Sequence, residues 1–354
     1  MKLFIPGPIW CREEVLKEMA KQPLGHRSKQ FTAIYSGVLE KLKKALGTAG
    51  DVHFSTSSGS GVWELAVRNC VRKRALVCQC GSFSEKWGDV AELNGREIVR
   101  LDVEPGKAVR GEMIADMLKK HEVDAVLYCH NETSTGVMNP IEEAAEVMRN
   151  HPDVLFLVDA VSSLSGVELD VDKLGIDICL ASVQKAFGIP PGAAVFTASK
   201  RAYERAATIK DRGYYFDLLA FKRNNEKGQT LVTPSIPHIY ALNYQLDAML
   251  AEGLANRYAR HRQMADVVRE WSRRHFAIFA EKGFESVTLT CLANTRNIDV
   301  SALNKELLSR HDCVISDGYG DLKGKTFRIA HMGDMQVSDM RQLLQWIDEI
   351  LGLK

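Results

Sequence analysis

The chain has 354 residues, 45% hydrophobic and 26% charged. That is the balance of a soluble globular protein, and the length exceeds one ordinary core, so two domains are expected. The 46 Lys and Arg residues against 45 Asp and Glu give a formal charge of +1, which argues against a dedicated nucleic-acid binder with its basic excess.

In chain order, the opening MKLFIPGPIW has a short apolar stretch broken by two prolines, so no signal peptide is expected. From about residue 50 to 200, short apolar runs alternate with amphipathic stretches. RALVCQ (74–79), DAVLYC (124–129), DVLFLVDA (153–160), DICLAS (177–182) and GAAVFTA (192–198) are continuously apolar, as strands covered on both faces are. Residues 84–94, 111–120 and 141–150 have helical periodicity between them. This alternation predicts an α/β fold with a mostly parallel central sheet and a ligand site at the carboxyl ends of its strands.

Residues 199–235 lack clean periodicity and are expected to form a crossing segment, with 213–221 lining the entrance to the site. One long helix is predicted over 238–275. Strand-like runs at 285–292, 312–318 and 326–332, with helices near 300–310 and 336–351, complete a smaller α+β domain. The expected division is 1–240, including an N-terminal arm over 1–30, and 241–354. No run of about 18 apolar residues occurs, so no membrane span is expected. The eight cysteines are too sparse for a disulfide scaffold and contain no CxxC pair, so no metal site and a reducing cytoplasmic setting are expected.

Residues that carry chemistry sit just after these strands. Asp159 ends one of them and Lys185 follows the next, in SVQKAFGIPPG. Each alone has an ordinary reading, a helix cap and a solvated turn lysine. Together they are the two groups that pyridoxal phosphate requires. A lysine in a tight apolar loop loses ammonium solvation and becomes nucleophilic, and a carboxylate can hold a pyridinium proton. STSSGSGVWE (55–64) places the N–H groups of Gly59, Ser60, Gly61 and Val62 at a helix start, where an anion binds; a flexible loop with a cap is the alternative. Phe83 offers a face for ring stacking or an ordinary core contact. Thr133 offers a hydroxyl to a ring oxygen or to a polar turn. Arg328 lies in an apolar strand, where it needs either a structural salt bridge or a substrate carboxylate.

In this order, IPGP (5–8), GHRSKQF (25–31), SGSG followed by WE (58–64), GSFSEKW (81–87), HNETSTG (130–136), VDAVSS (158–163), SVQKAFGIPPG (182–192), TPSIPHIYAL (233–242) and FRIAHMG (327–333) resemble the class V aminotransferases, which use pyridoxal 5'-phosphate. The resemblance runs over nearly the whole chain. It implies the aspartate aminotransferase type of fold and a homodimer with active sites at the subunit interface. It implies that Lys185 forms the Schiff base and shuttles the proton, while Asp159 pairs with the ring nitrogen. Phe83 would stack on the ring and Thr133 approach its hydroxyl. Ser60, Gly61, Val62 and Gln184 would hold the phosphate, and Thr233 or Ser235 would reach the partner's phosphate. Arg328 would bind the substrate carboxylate.

Within the family, the alanine/serine–glyoxylate or pyruvate group is the expected branch. His26 and Arg27 resemble a phosphate-binding pair of phosphoserine aminotransferases, which makes phosphoserine:2-oxoglutarate transamination the alternative. A second His–Arg pair is absent; Lys323 and Lys325 stand nearby, and lysine is a point charge rather than a fork. A cysteine desulfurase-type lyase is a weaker rival, because Cys291 and Cys313 sit in strand-like runs and Gln184, not His, precedes Lys185. A non-catalytic binding protein is a further rival, opposed by the joint presence of Lys185, Asp159 and Arg328.

Overall fold

The computed structural model describes residues 1–353. A seven-stranded sheet runs in the order Asp51–Ser55, Ala194–Ala198, Ile178–Ser182, Leu155–Asp159, Ala125–Cys129, Arg74–Gln79 and Glu97–Asp102. Only Ala194–Ala198 runs antiparallel to its neighbours. Four adjacent strands, Ala194–Ala198 through Ala125–Cys129, are buried at every residue. This is why their sequences are continuously apolar instead of alternating. Helices cover both faces. Phe31, Leu42 and Leu246 belong to the core on one side, and Leu65, Trp87 and Ala202 to the core on the other.

A second sheet of five strands has the order Lys2–Phe4, Cys313–Asp317, Thr326–Ala330, Leu289–Ala293 and Ala277–Ile278. Helices Leu254–His275, Val300–His311 and Val337–Leu351 pack on it through Val268, Leu303 and Leu343, which share a core with Phe4 and Ile329.

Four features differ from the sequence expectation. The single helix over 238–275 is two helices, Ile236–Glu252 and Leu254–His275, because Gly253 breaks the helix at φ +82°. Leu242, Leu246 and Met249 on the first helix belong to the large-domain core, so the chain changes body near Gly253 instead of at residue 240. Only the start of the arm leaves the large domain: Lys2–Phe4 pairs in parallel with Cys313–Asp317 of the small sheet, while Val15 further along belongs to the large-domain core. The 199–235 crossing segment contains two short helices, Lys200–Ala207 and Leu218–Asn225. Each is capped by a side chain, Ser199 and Asp217, and each is too short to show a full periodic pattern.

Candidate active site

A cavity of about 240 Å³ opens at the carboxyl ends of the large-sheet strands, where the sheet topology places it. Asp159 ends its strand there, buried and without a cationic partner at ion-pair distance. Its Oδ1 accepts from Val161 N at 2.7 Å and its Oδ2 from Trp63 Nε1 at 2.8 Å. Burial raises its pKa to about 6; the two donors and Lys185 oppose that rise, and Glu132 adds to it.

Lys185 follows Ile178–Ser182 in a turn closed by Gly188 N donating to Lys185 O at 2.8 Å. Its side chain is buried and its Nζ donates to the Pro6 carbonyl. Burial and then the nearby Arg328 bring its pKa down from 10.5 to about 8, against the opposing pull of Asp159 and Glu132. The neutral amine therefore becomes the major form above about pH 8. Capture of a small aldehyde by the cofactor-free protein, trapped by borohydride and read by mass at Lys185, is expected to rise through a midpoint near pH 8. A midpoint at the ordinary 10.5 would refute the desolvation argument.

The arm makes the other wall. Gly7 and Pro8 line the cavity. A Cβ on Gly7 would lie 2.9 Å from both Cε and Nζ of Lys185, and Gly7 has φ +138°, a conformation that only glycine adopts freely. Gly7→Ala is expected to lower kcat/KM by about a hundredfold or more, because a displacement on the order of 1 Å at a reacting group has that effect. Unchanged kinetics in that variant would show that the arm does not constrain the lysine.

Part of the expected anion cradle lies at the cavity wall. Ser58, Gly59, Ser60 and Gln184 line the cavity. Gly61 N is taken by Ser58 O at 3.0 Å, and the Val62 side chain lies fully buried behind the helix Gly59–Cys70. Gly61 and Val62, in the first turn of that helix, are not among the residues lining the cavity. Gly59 is sterically required, since a Cβ there would meet Ser182 Oγ at 2.5 Å. The 213–221 segment touches this turn, with Tyr215 Oη donating to Thr56 O at 2.9 Å.

Phe83 and Thr133 also line the cavity. Phe83 stacks on Tyr319 of the small domain, with ring centroids 5.0 Å apart. Thr133 Oγ1 shares a hydrogen bond with Ser162 Oγ at 2.6 Å. Arg328 is buried, and every acceptor it has is uncharged: Asp317 O at 3.1 and 3.0 Å, Ser316 Oγ at 3.2 Å and Thr133 O at 3.3 Å. No carboxylate pairs with it among the described residues, so the structural salt bridge is not what it forms. Burial of such a cation without a counter-ion is costly unless a ligand supplies one. His331 beside it is a structural residue, bonded to Thr290 Oγ1 at 2.9 Å and Val287 O at 3.0 Å.

Thr233, Ser235, His26 and Arg27 are likewise not among the lining residues of this cavity in the single chain. Thr233 is exposed, and Ser235 Oγ is engaged with His238 Nδ1 at 2.6 Å. Arg27 donates to Gln229 Oε1 at 2.8 Å, and His26 beside it does not line the cavity.

Sequence reasoning missed three residues. Trp63, from the quoted WE pair, holds Asp159. Glu132, in HNETSTG, is fully buried and accepts from Phe83 N, Ser84 N and Ser134 N at 3.3, 2.9 and 3.0 Å, tying the start of helix Ser82–Leu93 to the strand end. Asn131 lines the cavity with both polar atoms of its buried amide unpartnered, and Gln184 Oε1 is likewise without a partner. Buried polar atoms left open in this way call for a ligand. Only the position of Asn131 and Glu132 within the motif could have signalled them.

The thiols do not fit desulfurase chemistry. Burial pushes Cys291 up to about 12 and Cys313 up to about 11, and both lie in strands instead of a loop over the cavity.

The sequence family described as aminotransferase class-V matches residues 13–313. An uncharacterized aminotransferase of Methanocaldococcus jannaschii is 39% identical over 337 residues, covering 94% of this chain and 87% of that one. The serine–glyoxylate aminotransferase of Methylorubrum extorquens is 32% identical over 350 residues, covering 94% and 86%. The crystal structure of alanine–glyoxylate aminotransferase from Nostoc sp. matches with a TM-score of 0.93 at 28% identity, over 99% of this chain and 94% of that one. With the lysine and the strand-end carboxylate at one cavity, and the unpaired arginine near enough to lower the lysine's pKa, the match is one of chemistry as well as of fold: the chain belongs to the class V aminotransferases.

Proposed function

We propose that this aminotransferase works with pyridoxal 5'-phosphate and moves the amino group of a small amino acid, alanine or serine with aspartate as a further donor, to a 2-oxo acid such as glyoxylate or pyruvate. The observation that carries the reading is Arg328, a buried guanidinium with no carboxylate partner, beside a lysine whose amine is half neutral near pH 8. The residues present fit the cofactor. The cavity offers an amine at Lys185, a carboxylate at Asp159, an aromatic face at Phe83 and a polar helix start at Ser58–Ser60. It also presents open polar atoms on Asn131 and Gln184.

Bound there, pyridoxal phosphate supplies an aldehyde and an electron-accepting ring. The protein supplies the rest. Asp159 holds a proton on the ring nitrogen, and the N–H groups of Trp63 and Val161 keep its carboxylate oriented. Arg328 fixes the substrate carboxylate through its planar fork. The Lys185 amine would take the proton from the substrate Cα and deliver it to the carbon on the other side of the nitrogen, the one derived from the cofactor's aldehyde. Donor and acceptor use the same groups in turn, which makes the reaction two half-reactions.

We infer a homodimer in which exposed Thr233 or Ser235 meets the partner's phosphate, and a cytoplasmic setting. His26 and Arg27 would in that case act at the partner's site, which is the feature that keeps phosphoserine as the second substrate class to test. Purified protein is mixed separately with L-alanine, L-serine, L-aspartate and L-phosphoserine, and loss of the cofactor's visible band is followed. Rapid conversion by alanine or serine with phosphoserine slow is expected. Conversion mainly by phosphoserine would overturn the substrate assignment and make His26 and Arg27 a phosphate pocket.

A further inference from the structure

Arg257, on the small-domain helix Leu254–His275, is only 1% exposed, the most buried cation outside the cavity. Its Nη2 donates to Ala186 O at 2.5 Å, the carbonyl directly after Lys185. Its Nε donates to Ser165 O at 3.1 Å, and its Nη1 to Asp334 Oδ1 and Glu252 Oε2, each at 3.1 Å. Asp334 is the shared acceptor of this cluster. Its Oδ2 takes Arg12 Nε at 2.6 Å, and both its oxygens take Gln245 Nε2, at 3.0 and 2.8 Å. Arg12 lies on the arm, at the start of helix Glu13–Met19, and follows the stretch whose Ile9 N donates to Gln184 O at 3.3 Å and whose Pro6 carbonyl accepts from Lys185 Nζ.

These contacts close a circuit. One branch runs from Asp334 through Arg257 to the backbone at Ala186. The other runs from Asp334 through Arg12 and the arm to the backbone at Gln184 and to the lysine's own amine. The two branches come from the small domain and the N-terminus, and they meet on either side of one residue. Holding an arginine this deep carries a desolvation cost that an apolar residue of similar volume would avoid, so packing alone does not account for it.

We propose that Asp334 is a positioning residue for Lys185, fixing through Arg257 and Arg12 the two backbone segments, 184–188 and 6–9, between which the lysine's amino group lies. This rests on Lys185 being the reacting amine of the proposed function. Asp334 touches neither substrate nor cavity. It acts by keeping the amine within reach of a fixed point, and misplacement on the order of 1 Å at such a group lowers rate sharply. The arm branch is the informative one, because Arg12 is partly exposed and its loss leaves the Arg257–Asp334 pair intact. The charged groups that face Lys185 itself are Asp159, Glu132 and Arg328, and none of them is altered by a change at Arg12 or Asp334.

The test uses holoenzyme of Arg12→Gln, Asp334→Asn and Asp334→Glu, with three readouts: kcat and KM, the pH midpoint of the bound cofactor's visible band, and Tm. Arg12→Gln and Asp334→Asn are expected to lower kcat by about tenfold or more with KM within about twofold. They are also expected to move the midpoint by roughly half a unit or more, since the amine's surroundings change. Asp334→Glu is expected to recover part of both. Variants with a lower Tm but wild-type kcat and midpoint would overturn the proposal and leave Asp334 a structural clamp. If Asp334→Asn does not fold, Arg12→Gln decides by the same criteria. Wild-type protein with neither a visible band nor turnover would overturn the proposed function together with this inference, whereas a wild type with both and variants indistinguishable from it overturns this inference alone.

Discussion

Lys185→Ala is expected to lose turnover by roughly ten-thousandfold or more while the protein remains folded. The lysine supplies two things at once, a nucleophilic amine and the base that moves the substrate proton, and a positioned acid–base group alone contributes on the order of 10²–10⁴. Folding should survive because burial penalises the charged amine: it lowers the pKa to about 8, so below that value the ammonium is a cost to the folded state, not a support. The variant should therefore melt at or above the wild-type temperature, most visibly below pH 8. The visible cofactor band should disappear, and added alkylamines should restore part of the rate. Turnover within about tenfold of wild type, with normal melting, would show that another group moves the proton.

The second large effect is expected at Arg328. Removing one partner of a buried charge pair leaves the other unpaired, at a cost of about 3–5 kcal/mol, which is roughly two to three and a half orders of magnitude in kcat/KM. Arg328→Leu should show this mainly as a raised KM for the amino acid, since the lost contact holds the carboxylate in the ground state and in the transition state alike. Arg328→Lys should fall between, because lysine keeps the charge but not the fork that meets two carboxylate oxygens. The cofactor should still bind in both, as Arg328 is not among the residues lining the cavity, while the pH midpoint of its band should rise in Arg328→Leu, because the guanidinium helps to hold the lysine's pKa down. A normal KM in Arg328→Leu would mean the guanidinium serves its carbonyl partners, Asp317 and Thr133, and nothing else.

Much of this was legible in the linear chain. The strand runs were recognisable because four strands of the large sheet are buried on both faces, and such burial leaves an unbroken apolar segment. Asp159 and Lys185 were recognisable because each follows such a run, where α/β sheets carry their ligands. The cradle was placed to within a few residues, at Gly59 to Val62, because a Ser/Gly-rich segment does not reveal at which residue its helix begins. The break at Gly253 was hidden inside a stretch of good helix formers. An isolated glycine is tolerated within a helix pattern, and only its backbone conformation shows that it ends one.

What the sequence determined by itself is the order of the elements and the kinds of chemistry available, because periodicity and residue type are local properties. What only the tertiary structure decided is the state in which each group is held. Trp63 and Asp159, Pro6 and Lys185, and Thr133 and Arg328 are bonded across 96, 179 and 195 positions of chain. Desolvation and hydrogen bonding set the protonation of the acid and the amine. Both depend on which distant segments pack against a group, and no local pattern records that.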